Sequence, residues 1–368
     1  MRLVYKYRYN GPEKDSLLRL CEVSKNLYNQ ALYAVRQELI SNNRFIWYAE
    51  LEKTMKETTN LEGEVNYRLM PKAQCAQQCL KVIDRNMRSY VKAVKDWSKN
   101  PGKYNGKPRL PKYKEKLNQL IFTSQCCTVR DGYIHLTKSL VIEIPQWDKF
   151  GDKLSSFQQV RINPRLNGQE IDIEIVYLDE EQENPSLDKN QYASIDLGIN
   201  NFATVVDSVT GDAVIYNGRQ LKSVNQWYNK RKAELQSRLS VCNGKRRSSL
   251  NIRKLTVRRN NRIDDLLHKA SRNIIRTLIG KGIGTLVVGH NKGWKDSINI
   301  GKQNNQNFVG IPFSRFISFL KYKCAMAGIC FIETEESHTS KCDALALEEI
   351  GHHDSYLGKR KKRGLFQS

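Results

Sequence analysis

The stretch "YASIDLGINNFATVVD", Tyr192 to Asp207, decides how this chain is read. An apolar run meets a single aspartate, Asp196, turns through Gly198-Ile199-Asn200-Asn201 and resumes as a second apolar run. Two such runs joined by a Gly/Asn turn read as a β-hairpin. A carboxylate inside a strand that reads as buried is costly to desolvate unless it is paired or holds a metal. No cation neighbours Asp196 in sequence. Either it hydrogen-bonds the backbone of the turn that follows, or it points at a hard, oxygen-seeking cation such as Mg²⁺. Two such ions about 4 Å apart can activate a water and stabilise the leaving oxygen of a phosphodiester. One aspartate does not suffice for that, so acidic partners are sought elsewhere.

Downstream, "AVIYNG" (213–218) reads as a third strand and 222–280 as a long helical segment. Strand "TLVVG" (285–289), a helix over 312–327 and strand "ICFIETE" (329–335) follow. Three meandering strands, a helix, then strand–helix–strand is an α/β order whose later strands can pair in parallel. It is the order of the RNase H-like fold. The strand ending at Gly289 and His290 brings no acid, whereas the last one carries Glu333, Glu335 and Glu336. A strand two places from that of Asp196 lies about 10 Å away, within reach of a long glutamate arm. Glu335 has the parity of Glu333 and is favoured, with Glu336 close behind at the strand's end. The expected catalytic set is therefore Asp196, Glu335 and Glu336, with Asp196 and Glu335 as Mg²⁺ ligands. A surface glutamate cluster is the plain alternative.

Upstream, residues 2–9 alternate as a strand, and apolar residues recur at helical steps from Asp15 to Leu39. Further helices are expected over 46–57 and 71–98. "KNPGKYNGKPRLPKYKEK" (99–116), with three prolines and many lysines, reads as an exposed, extended basic segment. Residues 119–180 change to short strands parted by turn signals, and 179–191 is a polar, acidic connection.

The 368-residue chain carries 61 Lys and Arg against 38 Asp and Glu, a formal net charge of +23. Such an excess is expected to meet a polyanion. No apolar run approaches the roughly 18 residues of a spanning helix, and the N-terminus lacks a signal-peptide core. Nine scattered cysteines without a CxxC read as reduced thiols in a cytoplasmic protein. Between Arg219 and Arg276 stand seventeen Lys and Arg against three acids, densest in "KRRSSLNIRKLTVRRNNR" (245–262). That one-sided excess reads as a phosphate-tracking surface rather than a solvated face. The candidate nucleic-acid-binding residues are Lys103, Lys107, Arg109 and Lys112 in the first basic segment. In the second they are Lys245, Arg246, Arg247, Arg253, Lys254, Arg258, Arg259 and Arg262. Aromatic residues are few there (Trp227, Tyr228), so the surface is expected to position a backbone, not to stack bases.

These residues resemble a family. "SIDLGINNFATVVDS" (194–208) is similar to the first RuvC motif of TnpB, the OrfB-type protein of bacterial insertion sequences. "RIDDLLHKASRNII" (262–275) resembles the helix ahead of the second motif. Residues 286–323 and "TEESHTSK" (334–341) resemble the branch whose second-motif glutamate has moved to the later strand. The resemblance implies an α/β plus α+β multidomain chain. Residues 1–10 and 117–182 would form a small, wedge-like β-barrel, and 11–116 a helical recognition lobe with a basic loop. Residues 183–191 would be a linker, and 192–368 an RNase H-like (RuvC) domain with a basic helical insertion at 222–280. The implied activity is RNA-guided DNA endonuclease, a relative of type V CRISPR effectors, with a guide RNA and a double-stranded DNA target as partners. The implied location is the bacterial cytoplasm, on the nucleoid when bound to DNA, with no membrane partner.

Two departures modify the expectation. No CxxC…CxxC zinc ribbon follows "TS", where only Cys342 stands, so no zinc is expected. The segment that carries the family's third carboxylate has no counterpart before the closing "GKRKKRGLFQS", and neither Asp343 nor Asp354 sits in its context. The alternative is then a nuclease-deficient RNA-guided DNA-binding protein or repressor. A strand-transfer transposase and a plain RNA-binding protein stand further back.

Overall fold

The computed structural model describes residues 1–242, 248–290, 310–336, 339, 341–362 and 365–368. They divide into two units, Met1–Asp179 and Glu180–Ser368.

The first unit opens with β1 (Arg2–Tyr9), then α1 (Lys14–Asn42), α2 (Tyr48–Met55), α3 (Asn66–Leu69) and α4 (Ala73–Lys99). After the basic segment come β2 (Leu120–Thr123), β3 (Thr128–Arg130), β4 (Tyr133–His135) and β5 (Val141–Glu143). α5 (Trp147–Leu154), β6 (Phe157–Arg165) and β7 (Glu170–Leu178) complete it. β1, β7, β6 and β2 form one antiparallel sheet in that order, and β3–β4–β5 a separate meander. The barrel implied by the resemblance is not present as a closed ring of strands among the described residues. β3, β4 and β5 are three residues long, too short to close one. β5 and the turn after it meet β1 through side chains instead. The Tyr7 hydroxyl donates to the Glu143 carbonyl at 3.2 Å, and that of Tyr5 to the Pro145 carbonyl.

Helices and sheet of this unit share one core. Leu17, Leu80 and Ile83 of the helices lie in the same buried cluster as Phe122, Ile162 and Ile173 of the strands. α5 was not expected, because Pro145 and Gly151 make its segment look like a turn; Trp147, Phe150 and Leu154 nonetheless recur at three- and four-residue steps.

The second unit contains β8 (Asp188–Leu197), β9 (Asn201–Asp207), β10 (Ala213–Asn217), α6 (Arg219–Cys242) and α7 (Leu250–Gly280). β11 (Ile283–Gly289), α8 (Phe313–Ala327), β12 (Cys330–Thr334), β13 (Lys359–Lys362) and β14 (Leu365–Gln367) follow. Its main sheet runs β10-β9-β8-β11-β12. The first three are antiparallel, and β11 is parallel to both β8 and β12. The opening stretch is thus the hairpin β8–β9, and the late strands pair in parallel as their order implied. β8 begins at Asp188, inside the segment expected to be a linker.

The expected 222–280 helix is two helices. Ser249 caps the second, its hydroxyl accepting from the Ile252 amide at 3.3 Å. Ala193, Ile195 and Leu197 of β8 join Leu286 and Val288 of β11 on the buried face of the sheet. Leu267, Ile274 and Leu278 of α7 and Phe316 and Leu320 of α8 belong to the same cluster. Phe202 packs its ring 4.6 Å from that of Phe316. No helix among the described residues is long and apolar enough to cross a membrane.

Candidate functional site

Because side chains alternate along a strand, β8 puts Ala193, Ile195 and Leu197 in the core and Tyr192, Ser194 and Asp196 on the opposite, exposed face. Asp196 is therefore not the buried carboxylate that the apolar run suggested. The sequence pattern cannot say that only one face of this strand is covered. Nor does Asp196 cap the turn: among the described residues its side chain makes no hydrogen bond, while its backbone pairs with Thr204 of β9. The Gly198 amide closes the turn on the Phe202 carbonyl at 3.3 Å, and the Gly218 amide binds the Asn200 carbonyl at 2.7 Å. A solvent-facing aspartate at the carboxyl end of a central strand is placed to take a ligand.

Register identifies its neighbours. Ile195 pairs with Val288, so Gly289 follows at the level of Asp196, and Gly289 pairs with Thr334 of β12. Residues level with one another in parallel strands share a face, so Asp196, Gly289 and Thr334 lie on one side. Two residues beyond Thr334, Glu336 keeps that parity. Its carboxyl folds back over the bare Cα of Gly289, where a Cβ would stand 1.7 Å from Oε1 and 2.1 Å from Cδ. Burial pushes the Glu336 carboxyl above the ordinary glutamate range, and the negative charge of Asp196 pushes in the same direction, opposed by His290. Two carboxylates thus face one another across a glycine.

Glu335, the partner favoured from the sequence, is one step out of this alternation and is exposed. Glu333 is also of the other parity; its Oε1 lies 3.0 Å from Nδ1 of His290. The His290 amide donates to the Thr334 carbonyl at 2.9 Å, continuing the ladder past the strand. Gly289 was missed by sequence reasoning. Its signal was an apolar strand ending on a residue with no side chain, in the strand that precedes the acid-bearing one.

The donor set fits Mg²⁺. Asp196 and Glu336 offer only hard oxygens, and like charges held together are relieved by a divalent cation. Among the described residues no three His, Cys, Asp or Glu side chains gather into a preformed cage. Mg²⁺ commonly takes one or two carboxylates and keeps several waters.

The basic residues separate into roles. Arg109 and Lys112 are exposed on the extended segment after α4. Lys103 is held by Asp96 at 2.8 Å, and Lys107 lies over the Trp97 ring at 5.8 Å. On α7, Lys254, Arg258 and Arg262 are exposed and recur every fourth residue, which makes one stripe. Arg253 is half-buried. Arg259 is withdrawn from the expected interface: it donates to Asn225 Oδ1 at 2.6 Å and to the Gly310 carbonyl at 2.5 Å, bracing α6 against α7. Lys245, Arg246 and Arg247 lie outside the described residues.

Comparison with known proteins places the chain. Residues 174–295 match the family model OrfB_IS605, described as a probable transposase. Over 184 residues, 48% of this chain and 37% of the relative, it is 29% identical to the TnpB-like protein ORF457 of Acidianus two-tailed virus. Over these residues the chain is similar to TnpB-type proteins. The aligned part spans 37% of that relative's length. Among solved structures, the chain resembles the protein of a Cas12f1-sgRNA-target DNA complex at 14% identity and TM-score 0.34. That match covers 96% of this chain and 89% of the other. A CRISPR-Cas12f ternary complex matches at 12% identity and TM-score 0.35, covering 89% and 72%.

Proposed function

We propose that this chain is an RNA-guided DNA endonuclease of an insertion sequence, using Mg²⁺ at an RNase H-like, RuvC-type site. The observation that supports it most is the approach of Asp196 and Glu336 over Gly289 at the carboxyl ends of β8, β11 and β12. The strand order, with a central β8 flanked by an antiparallel hairpin on one side and parallel strands on the other, suits that fold. In the same scheme the sheets of the first unit serve as the wedge-like element, and α1 to α4 as the lobe that holds guide and target.

Asp196 and Glu336 would hold the ion, and Gly289 leaves room for the Glu336 arm. When bound, Mg²⁺ supplies charge neutralisation at the scissile phosphate and acidity to an attacking water. The protein's own part is positional. The register sets Asp196 level with Gly289, over which the Glu336 carboxyl lies, and Lys254, Arg258 and Arg262 would draw in a phosphate backbone. Base pairing with the guide would supply sequence choice.

Purification followed by sequencing of copurifying RNA, then incubation with the cognate target and Mg²⁺, tests the reading. A single transcript species with a variable guide portion and Mg²⁺-dependent cutting are expected. Asp196→Ala should lower cutting by at least about a hundredfold, the scale of lost electrostatic stabilisers. Cutting that persists in Asp196→Ala defeats the assignment. A second reading, a nuclease-deficient RNA-guided DNA binder or repressor, draws on the pair being two carboxylates and not three among the described residues. Target binding without cutting, unchanged by Asp196→Ala, selects it.

A further inference from the structure

The face between α6 and α7 holds more than charge. Trp227 of α6 is 37% exposed, an unusual state for an indole on a helix that packs against another. Two guanidiniums of α7 attend it: the Arg258 carbon lies 5.8 Å and the Arg262 carbon 5.2 Å from the ring centroid. Neither arginine has a carboxylate partner among the ion pairs of the described residues. A cleft of about 330 Å³ lies between the same helices, with Gln220, Ser223, Arg262 and Asp265 among its walls. Helical spacing joins these features. Gln220, Ser223 and Trp227 succeed one another at three- and four-residue steps along α6, and Arg258, Arg262 and Asp265 do so along α7.

We propose that Trp227, with Arg258 and Arg262, is a stacking site for one unpaired nucleobase of a single-stranded polynucleotide. The open part of the indole offers a π-face to the base, and the two guanidiniums hold the phosphates on either side of it. The cleft is at the small end of ligand-site volumes, which run from about 300 to 1,000 Å³, so it suits one base and not a run of them. Gln220, Ser223 and Asp265 face it with donors and acceptors for a base edge. Charge complementarity selects the occupant: the helices carry a one-sided cationic excess, and the indole sits among its exposed arginines. The proposal goes beyond the expectation, drawn from how few aromatics the segment has, that it only tracks a backbone; one indole with two guanidiniums near its ring is enough for a stacking step. The inference rests on the reading of α6 and α7 as a nucleic-acid surface, but not on the carboxylate site.

The test uses the full chain, freed of nucleic acid in high salt. Fluorescence anisotropy would follow a labelled 20-nucleotide oligouridylate, its deoxy counterpart and a 20-base-pair DNA duplex. Trp227→Ala is expected to weaken both single strands about five- to a hundredfold and to leave the duplex within about twofold. The dependence on salt should stay as steep as in the wild type, because no phosphate contact is lost. Trp227→Phe should recover most of the affinity, which also shows that the helix pair is intact. Arg258→Ala/Arg262→Ala should instead flatten the salt dependence by about 1.4, at roughly 0.7 per phosphate of a single strand. A larger loss on the ribo than on the deoxy strand assigns the slot to RNA, and equal losses assign it to the base alone. Wild-type binding by Trp227→Ala, or an equal loss on the duplex, overturns the stacking site. If the double arginine variant also binds as the wild type does, the underlying surface assignment falls with it.

Discussion

Gly289 decides which glutamate faces Asp196. A methyl group at that position would occupy the space of the Glu336 carboxyl. Gly289→Ala is therefore expected to reduce divalent-cation affinity about ten- to a hundredfold, the usual cost of disturbing what orients a metal ligand. The thermal midpoint should stay near that of the wild type, and calorimetric Mn²⁺ titration alongside a melt checks both. A second residue-scale prediction concerns a thiol. A hydrogen bond from the buried Cys75 lowers the Cys126 thiol to about 6, and Thr123 and Lys72 act in the same direction. Free thiols ordinarily titrate near 8.5. Cys126 should thus be the cysteine alkylated by iodoacetamide at pH 6.5, with a rate that rises through about pH 6. Peptide mapping after short labelling tests this, and Cys126→Ser should remove the fast phase.

At the scale of elements, Lys281 fastens the β9–β10 turn to the end of α7. Its ammonium lies 2.6 Å from Asp207, which also accepts from the Thr210 amide at 2.8 Å. The Lys281 hydrogen bond, first among several, lowers the Asp207 carboxyl to about 2. A lowered folded-state value stabilises fully above the ordinary aspartate value near 3.8, and that contribution is lost as pH falls through about 2. Asp207→Asn should melt earlier than the wild type at pH 6, and the two should converge toward pH 2. Deeper in the unit, Phe316→Ala empties a fully buried site beside Phe202 and should cost about 3–5 kcal/mol by chemical denaturation.

The same elements show what can be read from sequence. The hairpin β8–β9 was legible because alternation and a Gly/Asn turn are local signals. The parallel pairing of the late strands was legible because a strand–helix–strand order leaves few topologies. Register between parallel strands is not local, and a one-residue slip exchanges faces. That is why parity within one strand favoured Glu335, whereas pairing across Gly289 brings in Glu336. The exposure of Asp196 was hidden for a related reason: an apolar strand reads alike whether one face is covered or two. The break near Ser249 left a serine cap as its trace, inside a charge run that looked continuous.

For the molecule as a whole, a net charge of +23 sets how it meets a polyanion. The exposed cations lie on separate elements, the stripe of α7 in the second unit and the extended segment after α4 in the first. Arg109→Ala/Lys112→Ala should weaken binding to DNA of any sequence and flatten the salt dependence by about 1.8, at roughly 0.9 per duplex phosphate. Lys103→Ala should do less, since its ammonium is already held by Asp96. In the proposed function cutting would belong to the carboxylate face of the second unit, so these variants should regain activity once target is saturating. The most direct measurement is calorimetric titration of Mn²⁺ and Mg²⁺ into the wild type, Asp196→Ala, Glu336→Gln, their double variant and Glu335→Gln. One site lost alike in the first two variants, no further loss in the double variant, and a retained site in Glu335→Gln are predicted. Unchanged binding in Asp196→Ala, or a loss confined to Glu335→Gln, would contradict the shared site.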